Sequence, residues 1–427
     1  MKGYLENVAI IGAGLGGCAL ALALSEKDVP VTIFESRPEI SGVIPSGVIL
    51  TPNGLRVLDY LGVLPRIKDR CYISAYRVFK NDNDETTKKV RIGGPEVYGY
   101  DNHRIWRGLL LDEMRKMLAE RSVNIVFNSK FQGVVSDTAD GVSFLVDESV
   151  HHASLLVGLD GIYSSVRNYL APEIRPEYTG LVGILSHIKH SSVDWPCQDY
   201  EKNATIQSKP GALFWIAEDP TEDPVLMIGK QIHYPEQSRS DLESLQSDRE
   251  KLKMFYKQDY DEYGPTARKI IDSVCASPET LYIWPFLKMP RLPKWYSDTG
   301  RIILAGDGAH ALPPSSGQGV NQALEDIYSL NLLLSSVEVS GRSEPRQSHM
   351  LDALAFWQQI RQERIDAVFD WTMNGSNVSR LPEAERQRLV AEGKVKENQG
   401  DDMSWLYKPV LEERIKAWID GRKLDHV

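Results

Sequence analysis

The first 35 residues carry two hydrophobic rhythms. Val8–Ile11 and Val31–Glu35 are short apolar runs, and between them lies a segment rich in Ala and Leu that ends at about Lys27. Short apolar runs bounded by Gly or Pro predict buried strands, whereas the Ala/Leu stretch predicts a helix. Residues 7–35 therefore read as a βαβ unit, whose strands belong to a parallel sheet with covered faces. Helices are predicted at Pro52–Leu61 and at Arg107–Arg121, the second with Leu111, Met114 and Leu118 at helical spacing. Strands follow at Asn124–Phe127, Gly133–Val135, Val142–Val146 and Ser154–Leu159.

From about Pro176 to Pro285 the pattern changes to runs rich in β-branched and aromatic residues, at Gly180–Ile188, Ala212–Ala217 and Val225–Lys230. Set among Pro, Asp and Ser turns, they predict a mostly antiparallel sheet, with one helix, Asp241–Gln258, inserted. Arg301–Ala305 returns to parallel-strand character, a long helix is predicted at Gln318–Leu334, and further helices at Met350–Trp371 and Pro382–Glu392 precede a charged tail. Distant parts of the chain thus contribute to one sheet, with the β-rich piece threaded between them.

Composition narrows the function classes. With 49 Lys and Arg against 59 Asp and Glu in 427 residues, the net charge is −10, which argues against a general nucleic-acid binder. Cys18, Cys71, Cys197 and Cys275 are scattered, giving neither zinc spacing nor a C-x-x-C pair, and this suits a reducing, cytoplasmic setting. No uninterrupted run of about 18 apolar residues exists, so no membrane-spanning helix is expected. The apolar N-terminus is broken by glycines and reads as a strand rather than a signal peptide.

Three segments carry candidate chemistry. Gly12-Ala-Gly14-Leu-Gly16-Gly17 contains G-x-G-x-x-G directly after a strand and at the start of a helix. In that context Gly12 makes the tight turn, Gly14 admits a pyrophosphate to the backbone and Gly17 permits close helix packing. The helix N-terminus directs N–H groups and its positive dipole end at the phosphates. Glu35, at the end of the second strand, would accept hydrogen bonds from ribose hydroxyls and repel a 2′-phosphate, which favours NAD or FAD over NADP at this site. Asp160-Gly-Ile-Tyr-Ser-Ser-Val-Arg167 follows the strand that ends at Leu159, and Gly306-Asp-Gly-Ala-His310 follows another, leading through Pro313 and Pro314 to Gly319, Val320 and Asn321. Here too a strand passes through flexible residues into a helix, a second anion-binding geometry. Arg107 opens a helix of its own.

Taken together these segments resemble the FAD-dependent aromatic hydroxylases of the para-hydroxybenzoate hydroxylase fold, a family that includes salicylate hydroxylases and many fungal secondary-metabolite monooxygenases. The G-x-G-x-x-G, D-G-x-x-S-x-x-R and G-D-x-x-H signatures stand in order at Gly12–Gly17, Asp160–Arg167 and Gly306–His310, and the resemblance covers residues 5 to about 370. It implies an α/β architecture: a Rossmann-like FAD-binding domain, an inserted, mostly antiparallel substrate sheet and C-terminal helices. The implied division is 1–75, 102–174 and 286–340 for FAD, 76–101 and 175–285 for substrate, and 341–427 for the helical end. Glu35, with Arg37 beside it, matches the ribose-binding region, Gly47 and Val48 a loop beside the cofactor, and Arg107 the arginine that reaches FAD. Asp307 matches the acid on the ribityl or pyrophosphate part, Gly319, Val320 and Asn321 the N–H groups near the isoalloxazine, and Pro314 a carbonyl over the ring. Asp160 and Arg167 match a motif serving both FAD and a transient pyridine nucleotide. Gly308 for the usual Ala and Val320 for a frequent Gly or Ala are small departures.

The implied reaction is reduction of FAD by NADPH or NADH, O₂ addition as a flavin C4a-hydroperoxide and transfer of one oxygen to an electron-rich small molecule. That substrate would be aromatic or polyketide- or alkaloid-like. A single dinucleotide fingerprint means that the nicotinamide visits transiently. Trp215, Trp284 and Phe286 are candidates for an apolar substrate wall. No base stands out: His187 and His190 are expected to face solvent at a strand end, Tyr178 and Arg291 lack support, and His310 reads as structural. A flavin halogenase is the competing chemistry, but its W-x-W-x-I-P stretch is missing, since Ile283-Trp284-Pro285-Phe286 does not match. A non-enzymatic flavin-fold binder would not need Asp160, Arg167 and Asp307 together. Oligomeric state and substrate identity stay open.

Overall fold

The computed structural model describes residues 3–39, 46–206, 213–340, 346–376, 387–389, 391–393 and 402–424. Five strands pair in parallel in the order Ile302–Leu304, Leu155–Gly158, Val8–Ile11, Val31–Phe34, Asn124–Val126. All four residues of Val8–Ile11 and of Leu155–Gly158 are buried, as continuous apolar runs in a two-sided sheet require. The helix Leu15–Ser25 is buried along almost its whole length because Arg107–Glu120 and Gly319–Ser340 pack against it. This explains why it reads as apolar all round rather than amphipathic.

A second sheet has seven strands in the order Tyr282–Lys288, Glu177–Lys189, Val225–His233, Leu213–Ala217, Asn203–Ile206, Tyr76–Lys80, Thr86–Arg91. Only the pair Asn203–Ile206 and Tyr76–Lys80 is parallel. Strand alternation divides its side chains between two faces. Val182, Ile184, Trp215 and Ile228 pack with Leu252, Ile270 and Val274 of covering helices, in a core separate from that of the first sheet. The opposite face carries His187, Tyr282 and Trp284.

Three features depart from expectation. The helix predicted at Asp241–Gln258 is two helices, Arg239–Ser247 and Arg249–Tyr256, divided at Asp248. There the backbone leaves helical geometry (ψ 83°) and the carboxylate accepts from the Lys251 N–H at 3.0 Å, so the Asp side chain starts a new helix instead of continuing the old one. An unpredicted helix, Pro265–Ala276, opens on Pro265 at its first position and buries Ala267, Ile270, Ile271 and Val274. Finally, Gly47–Leu50, read as a loop, is a strand, paired with Asn102–Trp106, which also pairs with Tyr72–Ser74. The predicted strand residue Ala212 and most of the predicted helix Pro382–Glu392 lie outside the described residues. No helix among the described residues is long and apolar enough to cross a membrane, and all four cysteines are free.

Candidate active site

The glycine fingerprint adopts the geometry its pattern requires. Gly12 has φ +105°, and a Cβ there would overlap the Leu159 carbonyl at the end of the neighbouring strand. A Cβ on Gly17 would overlap the Gly12 carbonyl oxygen, whereas one on Gly14 would meet nothing within 4 Å. Gly12 and Gly17 thus serve close packing, and Gly14 faces open space at the N-terminus of Leu15–Ser25. No side chain caps that helix, so its first N–H groups are free for an anion.

Glu35 lies against this loop. Its Oε2 accepts from the Ala13 N–H at 2.8 Å and its Oε1 from the Arg37 N–H at 2.9 Å. Arg37 is exposed and touches the site through its backbone. No sequence signal pointed to Arg115, whose guanidinium donates to the Ala13 carbonyl at 3.4 Å and to the Glu39 carbonyl at 3.2 Å and stacks over Phe127. It places a cation beside the glycine turn. Replacing Glu35 with Ala removes the acceptor of the Ala13 N–H and, on the expectation that Glu35 also accepts from a ribose hydroxyl, a second hydrogen bond, each worth about 1 kcal/mol. The expected result is roughly tenfold to thirtyfold weaker FAD binding, read by flavin fluorescence titration of the apoprotein.

The second and third motifs interlock. Asp160 accepts from the Ser165 and Val166 N–H groups at 2.6 and 3.3 Å, and Ser164 caps the same short helix through the Arg167 N–H. Its Oδ1 is buried and has no protein partner; burial raises the carboxyl above its usual range, against the hydrogen bonds that lower it. Arg167, also buried, donates from Nη1 to the Gly308 carbonyl at 3.1 Å, which ties the Asp160–Arg167 segment to Gly306–His310.

Asp307 and Arg107 come together from segments 200 residues apart in sequence (307 − 107). Asp307 is exposed to water yet ringed by protein, the environment of a deep cleft. Burial raises its carboxyl, opposed by the charges of His310 and Arg107. Burial likewise lowers Arg107, opposed by Asp307. A Cβ on Gly319 would lie 3.7 Å from Asp307 Oδ1, so the N-terminus of Gly319–Ser340 opens at the same place. Asn321 is fully buried and clamps the turn: its amide donates to the carbonyls of Ile49 and Gly317 and its Oδ1 accepts from the Thr51 N–H. Val48 is a core side chain, Val320 is half-buried and Pro314 is exposed.

Behind the loop lies a network that carries no motif. Asp326 accepts from the Gly306 N–H at 2.8 Å, from His310 Nε2 at 2.5 Å and from Arg361 Nε at 2.7 Å. Glu325 pairs with Arg361 and Arg364 at 2.6–2.8 Å and accepts from Asn53. His310 is buried and engaged with Asp326 in this network.

Gly47 has a reason that the sequence does not suggest. A Cβ there would overlap the carboxylate of Glu218, which is fully buried and held bidentately by Arg104 at 2.9 and 2.7 Å. Burial would raise Glu218, but the Arg104 charge and the hydrogen bonds from His187 and Arg104 outweigh it and hold the carboxyl below its usual range. His187 Nε2 lies 3.2 Å from Glu218 Oε1, and the ring is sandwiched between Trp106 (5.2 Å) and Tyr282 (5.7 Å, interplanar 6°). His187 therefore does not face bulk solvent, because a second layer covers this face of the sheet.

The aromatic candidates separate. Trp284 is 41% exposed on the face of Tyr282 and His187, and Phe286 lies on the same face, buried against Gly183. Trp215 is 1% exposed on the opposite face, where it stacks on Tyr200 and donates to the Glu201 carbonyl; it is core under the covering helices, not wall. His190 stacks on Trp195, Tyr178 donates to the Tyr234 carbonyl, and the exposed Arg291 pairs with Asp366, all outside the cleft contacts described above.

Residues 6–363 match the family described as the FAD binding domain. The chain belongs to that family. It is similar to 3-amino-4-hydroxybenzoate 2-monooxygenase PtnB3 of Streptomyces platensis, with 25% identity over 416 residues covering 95% of this chain and 96% of that one. It is also 25% identical over 378 residues to the FAD-dependent monooxygenase OpS4 of Beauveria bassiana, covering 85% and 82%. Among solved structures, CtdE in complex with FAD and substrate shares the fold with a TM-score of 0.74 at 17% identity, covering 97% and 98%. The family member described here is an FAD-dependent oxidoreductase of the monooxygenase group, and these relatives do not favour the halogenase alternative. Its own residues fit the cofactor: the uncapped helix start at Gly14, the open space beside it, and the water-accessible but enclosed Asp307 and Arg107 form a cradle for a dinucleotide.

Proposed function

We propose that this chain uses FAD and NADPH or NADH to insert one oxygen atom of O₂ into an electron-rich aromatic small molecule that carries a ring hydroxyl or amino group. The observation that supports it best is the meeting of Asp307, Arg107 and Gly319 at a loop whose Gly306 packs on the same Leu159 and Ala323 side chains as Gly16 of the glycine fingerprint. The relative named for 3-amino-4-hydroxybenzoate supports that substrate class, and the one named an FAD-dependent monooxygenase supports the reaction. Free cysteines, three of them buried, suit a reducing compartment.

FAD, when bound, supplies electron transfer from the nicotinamide and activation of O₂. The N–H groups following Gly14 hold the pyrophosphate, Glu35 the adenosine ribose, and Asp307 with Arg107 the part nearer the ring. The first N–H groups of Gly319–Ser340 stabilise negative charge on the reduced ring. Trp106, Tyr282 and Trp284 exclude water from the substrate side. The FAD region comprises 1–75, 102–174 and 286–340, the substrate sheet 76–101 and 175–285, and 341–427 forms the C-terminal region, which carries the helices Arg346–Asp370 and Leu411–Leu424.

The test is to purify the protein, record its visible spectrum, and follow anaerobic reduction by NADPH and by NADH with a panel of hydroxy- and aminobenzoates. ¹⁸O₂ is then admitted and products are read by mass spectrometry. A yellow protein whose reduction is accelerated by a substrate that gains one labelled oxygen is expected. A colourless protein that FAD cannot reconstitute, or nicotinamide consumption without any oxygenated product, overturns the proposal.

A further inference from the structure

Two hydrogen-bonding groups of one aromatic stack stand unfilled. Glu218 is held ionised, so it can only accept, and the hydrogen between it and His187 must sit on Nε2. That fixes the tautomer and leaves the lone pair on Nδ1, which has no partner among the described residues. Stacked on this ring is Tyr282, whose hydroxyl is buried and unpartnered, and which burial keeps protonated. Trp106, the residue before Arg107, also lies against the His187 ring, which joins the stack along the chain to the arginine that faces Asp307. The charged and titratable groups around His187 are Glu218 on the turn after Leu213–Ala217, Arg104 on Asn102–Trp106 and Tyr282 on its own strand. The Glu218 carboxylate is engaged by Arg104 and by His187 Nε2, which leaves the Nδ1 lone pair as the open proton acceptor of the group.

We propose that His187 is the catalytic base that takes the proton of the substrate's ring hydroxyl, with Glu218 as its positioning residue and the Tyr282 hydroxyl as a donor to the resulting oxyanion. This rests on the aromatic oxygenation proposed above. In the step, the substrate O–H bond breaks, its electron pair stays on oxygen, and a new N–H bond forms at Nδ1. The imidazolium so produced pairs with Glu218, and no electrons are exchanged. The phenolate has a more electron-rich ring, which favours its attack on an electrophilic oxygen. Arg104 keeps Glu218 aimed at Nε2, so the pair acts as an orienting arm in the manner of a carboxylate–histidine couple.

The test uses the holoenzyme and the chromophoric phenol para-nitrophenol, titrated spectroscopically between about pH 5 and 8, the window in which imidazole changes charge. In the wild type, the bound phenol should ionise at a pH about one unit or more below its free value, a tenfold or greater gain in phenolate. H187Q and H187N should bind it without that displacement, and E218Q should show a reduced one. With a ring-hydroxylated substrate, H187Q should lower oxygenated product per nicotinamide consumed and cut product formation by about 10²–10⁴-fold at neutral pH. Added imidazole should partly restore H187A. Retained flavin absorbance shows that each variant is folded. An undiminished phenolate shift in H187Q and H187N, no perturbation of the probe by wild type, or H187Q product formation within about threefold of wild type overturns the assignment. A wild type that never yields an oxygenated product refutes the oxygenation proposal instead, while the phenolate shift still tests His187.

Discussion

Replacing Asp307 with Ala should strip the protein of flavin while leaving the apoprotein folded. Asp307 is accessible from the cleft and close to both Arg107 and the start of Gly319–Ser340, yet no protein hydrogen bond to its carboxylate is described, and burial raises its pKa. Its carboxylate therefore adds little to apoprotein stability, being served there by water alone, and gains its hydrogen-bond partners from a bound ligand. A charge-assisted hydrogen bond is worth about 1.5–3 kcal/mol, so D307A should weaken FAD retention by about tenfold to a hundredfold. The thermal midpoint of the apoprotein should stay level or rise. D307N, which keeps an acceptor but not the charge, should fall between. The pH dependence has a definite sign: with the folded value raised above 3.8, apoprotein stability from this group falls as pH rises through that window, while FAD affinity grows. Flavin-to-protein absorbance after gel filtration, with scanning of the apoprotein, reads both. Full flavin retention by D307A would show that the Gly306–His310 segment does not hold the cofactor.

The parts of the site that were legible in the sequence are those in which a short segment makes its own geometry. The positive φ of Gly12 and the contact of Gly17 with the Gly12 carbonyl both arise within six residues, although the space at Gly12 is also closed by the distant Leu159 carbonyl. Asp160, Ser164 and Arg167 likewise organise one short helix. What stayed hidden arises between sheets. Arg104 and Glu218 are 114 positions apart, and nothing near either predicts the other. His187 is expected at the surface because it ends a predicted strand, but the strand continues to Lys189 and the ring lies against Trp106 and Tyr282. Alternation correctly separates Trp215 from Phe214 and Ile216, yet which face meets the cofactor depends on where the helices lie. One of them, Pro265–Ala276, had its own signal in Pro265 and the apolar positions 267, 270, 271 and 274. The Asp248 break was equally local: an Asp inside a helical pattern is a capping residue as much as an interruption.

The largest stability effect should come from Arg361, far from the expected chemistry. Changing it to Met leaves Asp326 and one side of Glu325 without the cation that both face in a dry interior. Removing one partner of a buried ion pair costs about 3–5 kcal/mol, because the remaining charge is neither solvated nor paired. The damage should also reach the cofactor, since Asp326 holds the Gly306 N–H and His310 on either side of Asp307. The change is best recognised by its pH signature. In the wild type, burial would raise the Glu325 and Asp326 carboxyls, but Arg364 and Arg361 hold Glu325, and His310 and Arg361 hold Asp326, below their usual values of 4.5 and 3.8. The unfolded chain then binds more protons in acid, so this contribution is complete above about pH 4.5 and is lost as pH falls through the lower, folded values. In R361M, burial acts on Asp326 with only His310 to oppose it, its carboxyl moves upward, and the native state now binds the extra proton. Stability relative to wild type should therefore improve as pH falls from about 8 towards 5, the reverse of the usual acid loss. Thermal midpoints of both apoproteins across that range decide it. A variant within about 1 kcal/mol of wild type, or one with an unchanged pH slope, would mean that Arg364 and His310 alone hold the carboxylates behind the flavin loop.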